Sequence, residues 1–200
     1  MINHHGGVMS VTVHLADLWL PILVSAITVF LVSSVVHMLL TYHKNDFQAL
    51  PDEENFNDAV GSQNLEPGQY STPFCNSMKE MGEEAFQNKL AKGPVMTMTV
   101  YPNGPYPIGK NLLNWFIFSL VVSLFAAYIA SNALTTAANY LQVMQITATA
   151  AFLAYGIGFM QESVWYGRNW LMTAKFVFDG LLYALCTGGV FGWLWPEMMS

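Results

Sequence analysis

Four ionisable side chains stand inside or at the ends of long apolar stretches, where charges are rare. They are His37, Glu162, Lys175 and Asp179. A charged side chain at membrane depth costs about 3 kcal/mol or more unless it is paired or hydrated, and such residues usually face the interior of a helix bundle. If the apolar stretches are membrane spans, these residues are predicted to form an intramembrane polar cluster near the ends of the spans.

The cluster has two interpretations. In the structural one, Lys175 and Asp179 form an ion pair one helical turn apart. Glu162 then pairs with Arg168 or Lys175, and His37 hydrogen-bonds a neighbouring helix. In the functional one, the cluster is a proton or small-solute site open to the cytoplasm, with Asp179 and Glu162 as acceptors and His37 as the titrating group. The structural interpretation is favoured, because long side chains near a span end can reach the interface.

No other set of residues indicates a specific reaction. The histidines of the leader are His4, His5 and His14, and the soft ligands of the following loop are His43, Cys75 and Met81. None has the spacing of a known metal motif, and no nucleophile stands with a recognisable base and orienting group. The sequence therefore assigns no catalytic residue, metal or cofactor, and an enzyme is the least favoured class.

The elements that position the cluster are four apolar stretches at residues 18–42, 112–132, 140–162 and 171–195. Crossing a hydrocarbon core of about 30 Å at about 1.5 Å per residue takes about 20 residues. Charged residues are 10% of the chain, against about 25% in a soluble domain. The mean hydropathy is +0.36. We predict an all-α membrane protein with a bundle of four transmembrane helices.

The basic residues predict the orientation of these spans. All seven lie on one side, at Lys44, Lys79, Lys89, Lys92, Lys110, Arg168 and Lys175. By the positive-inside rule, residues 43–111 are cytoplasmic, and the leader 1–17 and the tail 196–200 are external. Either Met1 or Met9 is compatible with the start of the chain. The net charge of −6 argues against a nucleic-acid partner.

The cytoplasmic loop, residues 43–111, is predicted to fold as a small α+β unit. Acidic residues after Asp52 open a first helix, and Gly68 to Phe74 is a candidate strand. Glu80 to Lys92 has acids early and lysines late, with Gly93 after it as a C-cap, which is typical of a helix. Val95 to Tyr101 alternates apolar side chains with threonine, which predicts a strand.

Small residues predict how the fourth span packs. Gly180, Ala184, Gly188 and Gly192 follow one another at four-residue spacing. In lipid, helix association depends on close backbone approach rather than on hydrophobic burial. The stripe is therefore predicted to pack against a neighbouring helix, and an intramolecular neighbour is favoured over a second subunit.

Several segments resemble an uncharacterised family of bacterial four-span inner-membrane proteins. The resemblance is carried by Ser33 to Met38, Tyr42-His43, Leu50 to Glu53, Ser77 to Met81, Pro102 to Pro105, Gly109 to Asn111 and Thr173 to Gly180. It implies a bacterial origin and an inner-membrane location, and it implies nothing about mechanism. Thr41 stands where the family pattern has proline, which predicts a looser end of the first span.

Three functions of different classes follow as hypotheses. The first is an accessory or structural subunit of a larger membrane complex, with the lipid bilayer and other membrane subunits, or copies of itself, as partners. The second is a small proton-coupled transporter or channel with a cytoplasm-facing polar site. The third is a membrane enzyme that acts on a lipid-soluble substrate near the cytoplasmic interface.

Overall fold

The computed structural model describes residues 11–196. His4, His5, Met9 and the last four residues of the predicted tail lie outside the described residues. The chain divides into a helical unit, Met1–Asp46 with Pro107–Ser200, and a loop unit, Phe47–Tyr106. The loop unit is shorter than the predicted 43–111, because residues up to Asp46 pack with the helices.

The described chain is mostly helical. Its helices are α1 (Trp19–Leu39), α2 (Glu53–Gly61), α3 (Met78–Met81), α4 (Glu84–Lys92), α5 (Ile108–Ala133), α6 (Tyr140–Tyr155), α7 (Met160–Tyr166) and α8 (Trp170–Trp193). Its strands are β1 (Gly68–Thr72) and β2 (Met96–Val100). A 3₁₀ turn, Leu15–Leu18, leads into α1, and another, Ile157–Phe159, joins α6 to α7.

Four helical stretches are long and apolar enough to cross a membrane, as the sequence predicts. Counted with the adjoining turns, they are Leu15–Leu39, Ile108–Ala133, Tyr140–Tyr166 and Trp170–Trp193. Their apolar windows are buried within the protein over only 28% to 44% of their residues. The remaining residues of each window are partly or fully exposed at the protein surface.

The four long stretches pack in a closed ring. Helix α1 contacts α5 and α8, and α6 contacts the same two helices. We call the end that holds Trp19, Ala133, Tyr140 and Trp193 the leader end, and the opposite end of the same helices the loop end. Asn139 caps the start of α6, because its side chain accepts from the Gln142 amide at 3.1 Å.

The small residues of α8 lie against the third long stretch. A Cβ added at Gly180 would come within 2.6 Å of the Gly156 backbone, and one at Gly188 within 2.8 Å of Met144 O. At Gly192 the added atom would meet the ring of Tyr140 at 2.7 Å. Ala184 is buried in the same region. These glycines allow the two helix backbones to approach closely.

The loop unit contains a two-stranded antiparallel sheet and three short helices. Strands β1 and β2 pair in register from Gly68 with Val100 to Thr72 with Met96. Asp52 caps α2 by accepting from the Asn55 amide at 3.1 Å. The single helix predicted over 80–92 is instead two, α3 and α4, because the chain turns at Gly82 and restarts at Glu84.

Candidate functional site

A turn after α1 positions the candidate site. The sequence predicts a continuous span to Tyr42, but α1 ends at Leu39 and Leu40 is extended. Residues 41–46 then turn tightly, with backbone hydrogen bonds from Lys44 N to Thr41 O and from Asp46 N to His43 O, both at 3.1 Å. The turn returns the chain to the side of α8. Tyr42, His43 and Asp46 thereby become part of the helical unit.

Asp179 is the centre of the resulting polar cluster. It is 1% exposed, deep on α8. The Tyr42 hydroxyl donates to its Oδ1, and His43 Nε2 lies 2.9 Å from its Oδ2. Both carboxylate oxygens are therefore engaged by residues of the turn. This pairing reduces the free energy that burial of the charge would otherwise cost.

Lys175 pairs with Asp46 and not with Asp179, so the predicted ion pair within α8 is wrong. Its Nζ lies 2.5 Å from Asp46 Oδ1 and donates to Tyr42 O at 2.6 Å. Helical side chains lean toward the N-terminus of their helix, so Lys175 points away from Asp179, one turn later, and toward the turn. Burial alone would raise the pKa of Asp46, but hydrogen bonds from Lys175 and His43 outweigh burial and lower it.

Glu162 lies apart from the cluster, which corrects its predicted place there. Its carboxylate is 3.6 Å from Arg168, one of the two partners that the structural interpretation offered. The neighbouring Ser163 faces α8 instead, 2.6 Å from the Thr173 hydroxyl. Adjacent residues on a helix differ by about 100° in direction, so only one of the two can face α8.

His37 joins the cluster from the last turns of α1. Its ring centroid is 4.9 Å from that of His43, and its Nε2 lies 3.4 Å from the Tyr183 hydroxyl on α8. Ligand atoms of His37, His43 and Asp179 all lie within 4.8 Å of one another. Among the residues that the structure describes, no other such group of potential metal ligands occurs.

A cavity of about 350 Å³ adjoins this cluster at the loop end. All four long helical stretches line it, with Ser33, Ser34, His37, Met38, Leu112, Trp115, Tyr155, Phe159, Phe176, Asp179 and Tyr183. Its lining is largely apolar and aromatic, and the few polar groups converge at one part of the wall. Met38 and Leu112 are 80% and 45% exposed, so the cavity is open to the outside.

Two aromatic side chains shape the wall of the cavity. Trp115 donates its ring N–H to Ser33 Oγ at 2.8 Å and packs edge-on against Tyr183. Tyr155 is 2% exposed, and its hydroxyl makes no hydrogen bond with any described residue. A buried hydroxyl without a partner costs roughly 1–3 kcal/mol.

Sequence reasoning identified part of this site. It singled out His37, Lys175 and Asp179, which the structure brings together around the turn. It missed Tyr42 and Asp46, which were placed at the end of a straight span and in the loop, and it grouped His43 with Cys75 and Met81 rather than with the cluster. The available signal was a histidine and an aspartate three residues apart directly after an apolar stretch, a spacing that suits a turn.

The comparisons with known proteins identify no relative. No protein-family model, no curated protein and no solved structure matches the chain. The candidate site is therefore interpreted from its own geometry and chemistry.

Proposed function

We propose that the four long helical stretches cross the bacterial inner membrane, with both termini external and the loop unit cytoplasmic. The outward apolar surface supports membrane insertion, because a water-soluble protein rarely exposes so large an apolar area. The seven basic residues on one side support the orientation. Bacterial origin and membrane identity come from the sequence resemblance alone.

Native cysteines offer a test of this orientation. Cys75 is in the loop unit and Cys186 within α8, and both are free thiols. In a Cys186→Ser background, a membrane-impermeant maleimide should label Cys75 in inverted vesicles and not in intact spheroplasts. Labelling in spheroplasts would reverse the orientation, and protein recovered without detergent would rule out the spans.

We propose further that the protein binds a small lipid-soluble molecule in the loop-end cavity and holds its polar end near Asp179. The observation that carries this proposal is a cavity of about 350 Å³ whose apolar wall ends at a buried carboxylate and a histidine. Ligand sites in proteins are of similar size, about 300–1,000 Å³, and combine a mostly apolar lining with a few convergent polar groups.

The buried carboxylate of Asp179 in the wall supports this use of the cavity. Ionisable residues at membrane depth are retained at a cost in free energy, and they commonly mark substrate or ion pathways. With the apolar lining, this favours a ligand that is apolar along most of its length and carries one polar group.

An apolar fluorophore with one amine, 1-aminoanthracene, tests the cavity in detergent-purified protein. We expect saturable fluorescence enhancement, and a loss of affinity of at least about tenfold in Ser34→Phe, whose ring would fill the cavity. Val35→Phe is the matched control, since Val35 is the next residue, is 49% exposed and lies outside the lining. Equal binding in both variants, or no saturation in the unsubstituted protein, would contradict the proposal.

The three roles predicted from the sequence, namely a subunit, a transporter and a membrane enzyme, stay predictions. A subunit role predicts that a partner copurifies after mild detergent extraction from native membranes. A proton-coupled transporter predicts a pH change in reconstituted vesicles. Ligand binding is preferred over these roles because the helical unit contains a lined cavity of suitable size.

A further inference from the structure

His43 presents both of its ring nitrogens to carboxylates. Nδ1 lies 2.6 Å from Asp46 Oδ2, and Nε2 lies 2.9 Å from Asp179 Oδ2. A neutral imidazole has one N–H donor, and an ionised carboxylate only accepts. One of the two contacts therefore requires either a second proton, on the ring or on a carboxylate, or a metal ion between Nε2 and Asp179.

The formal charges of the cluster are also compatible with a bound cation. Asp46 and Asp179 carry two negative charges, and Lys175 is the basic residue bonded within the cluster. With neutral imidazoles, the group is one positive charge short. A divalent ion would supply the missing charge and leave one positive charge to attract an anionic or polarised oxygen.

A third donor distinguishes a metal site from a simple ion pair. His37 contributes a ring nitrogen within 4.8 Å of both other ligand atoms. Metal–nitrogen and metal–oxygen distances near 2.1 Å place the ligands of one tetrahedral ion about 3.4 Å apart. The His37 ring must move by at most roughly 1.4 Å to reach that separation, and the His43 and Asp179 atoms, 2.9 Å apart, must separate by about 0.5 Å. The move is possible because His37 is exposed and its contact with Tyr183 is long, at 3.4 Å.

The surroundings match those of known metal-binding histidines. A ligating histidine usually donates its other ring N–H to a carboxylate, which fixes its tautomer and orientation. Asp46 takes this place for His43, and Lys175 holds Asp46 at 2.5 Å. Tyr42 donates to the other oxygen of Asp179, so that Oδ2 alone is directed at the ion.

We propose that His37, His43 and Asp179 bind one divalent transition-metal ion of the Zn²⁺ or Fe²⁺ class. Two histidines and one carboxylate are a ligand set of open zinc and non-haem iron sites, in which the remaining positions take water or substrate. His37 and Asp179 also line the cavity, so an open position faces the place of the proposed ligand. The metal site does not depend on that ligand, but it would bind the ligand's polar end.

Cobalt(II) is a suitable probe for this site. The full chain, purified in detergent and stripped with EDTA, is titrated with Co²⁺ and followed by visible absorption and by metal content per chain. All measurements use a His4→Gln, His5→Gln background, which removes two adjacent histidines of the leader as competing ligands. Binding of 1-aminoanthracene before and after stripping is measured in parallel, so that failure of the metal site and failure of the cavity proposal are distinguishable.

We expect one Co²⁺ per chain, with a d–d band that shows nitrogen and oxygen ligation. His37→Gln, His43→Gln and Asp179→Asn should each lower the affinity more than about 100-fold, and Asp46→Asn about 10–100-fold. His14→Gln, on the leader and outside the cluster, should leave affinity unchanged. If Asp179→Asn does not fold, the exposed His37→Gln still decides the question. No band, or equal binding in His37→Gln, would overturn the proposal and leave a second proton, on His43 or on one of its two carboxylate partners, to account for the contacts.

Discussion

The two ends of the helical unit are packed by different means. At the leader end, Val13, Leu18, Phe191 and Trp195 form a core with small residues of α5 and Val143 of α6. At the loop end, aromatic rings surround a cavity, and charged groups connect the turn after α1 to α8. Close packing specifies the first region, and pairing of charges specifies the second. The same four helices therefore have an apolar core at the leader end and an open cavity with charged groups at the loop end.

The difference between the ends follows from where the helices carry glycines and where they are interrupted. Gly188 and Gly192 let α8 approach α6 closely toward the leader end. Toward the loop end, the third long stretch is interrupted at Gly156, and α1 stops at Leu39. Helix α8 still packs closely on the interruption, since a Cβ at Gly180 would lie 2.5 Å from the Gly156 backbone, but nearer the loop end the space between the helices holds side chains with polar ends. This arrangement is common at sites that bind ligands between helices.

Breaking the buried pair at the loop end should have the largest effect. Lys175→Met leaves Asp46, whose side chain is 5% exposed, without its cation. We expect a loss of about 3 kcal/mol, the low end of the range for buried pairs, because the Lys175 side chain is 20% exposed. The unfolding free energy in mixed micelles, measured by titration with sodium dodecyl sulfate, checks this value.

Two companion variants sharpen that prediction. Adding Asp46→Asn to Lys175→Met should recover part of the loss, because the carboxylate left without its cation is then gone. Arg168→Met breaks the 3.6 Å pair with Glu162, whose side chain is 39% exposed. That change should cost less than about 1 kcal/mol. If Arg168→Met cost as much as Lys175→Met, burial would not be what makes the pair of Lys175 with Asp46 important.

The same contrast explains how much of the molecule could be predicted from its sequence. The four apolar helices and the short sheet followed from periodicity and length, which are local properties. The stripe from Gly180 to Gly192 was visible for the same reason. The partner of Lys175 was not predictable, because it depends on the chain leaving α1 at Leu40. The path of the chain through residues 40–46 decides which side chains face Asp179, and the spacing of His43 and Asp46 indicates a turn without indicating its direction.

Adding a methyl group toward the leader end should have the next largest effect. In Gly188→Ala the new Cβ would lie 2.8 Å from both Ala148 Cβ and Met144 O, well inside ordinary contact. We expect a net loss of about 2 kcal/mol from overpacking, measured in the same titration. Gly189→Ala is the control, since its Cβ would meet only Tyr140 Oη at 3.6 Å.

Both glycine variants gain the same helix propensity, up to about 1 kcal/mol. Their difference therefore isolates the contact with α6. Similar stabilities for Gly188→Ala and Gly189→Ala would show that α8 and α6 are not closely packed at this point, and the comparison between the two ends would lose its basis.

The smallest expected difference in stability is between phenylalanine variants of two tryptophans, one at each end. Trp115 donates its ring N–H to Ser33 Oγ at 2.8 Å beside the cavity, and Trp195 donates to Thr135 O at 3.1 Å within the leader-end core. Replacing either by phenylalanine removes one hydrogen bond, worth about 1 kcal/mol. At Trp195, which is 7% exposed, the change also leaves a closed void, and we expect a total loss of about 2 kcal/mol.

At Trp115 the lost volume joins a cavity that already exists, so no new closed void forms and the loss should stay near 1 kcal/mol. The two Trp→Phe variants thus differ by the cost of the void and by little else. A ranking in which Trp115→Phe is the more destabilising would mean that the rings at the loop end are packed as tightly as a core. The cavity would then have too little free volume to receive a ligand.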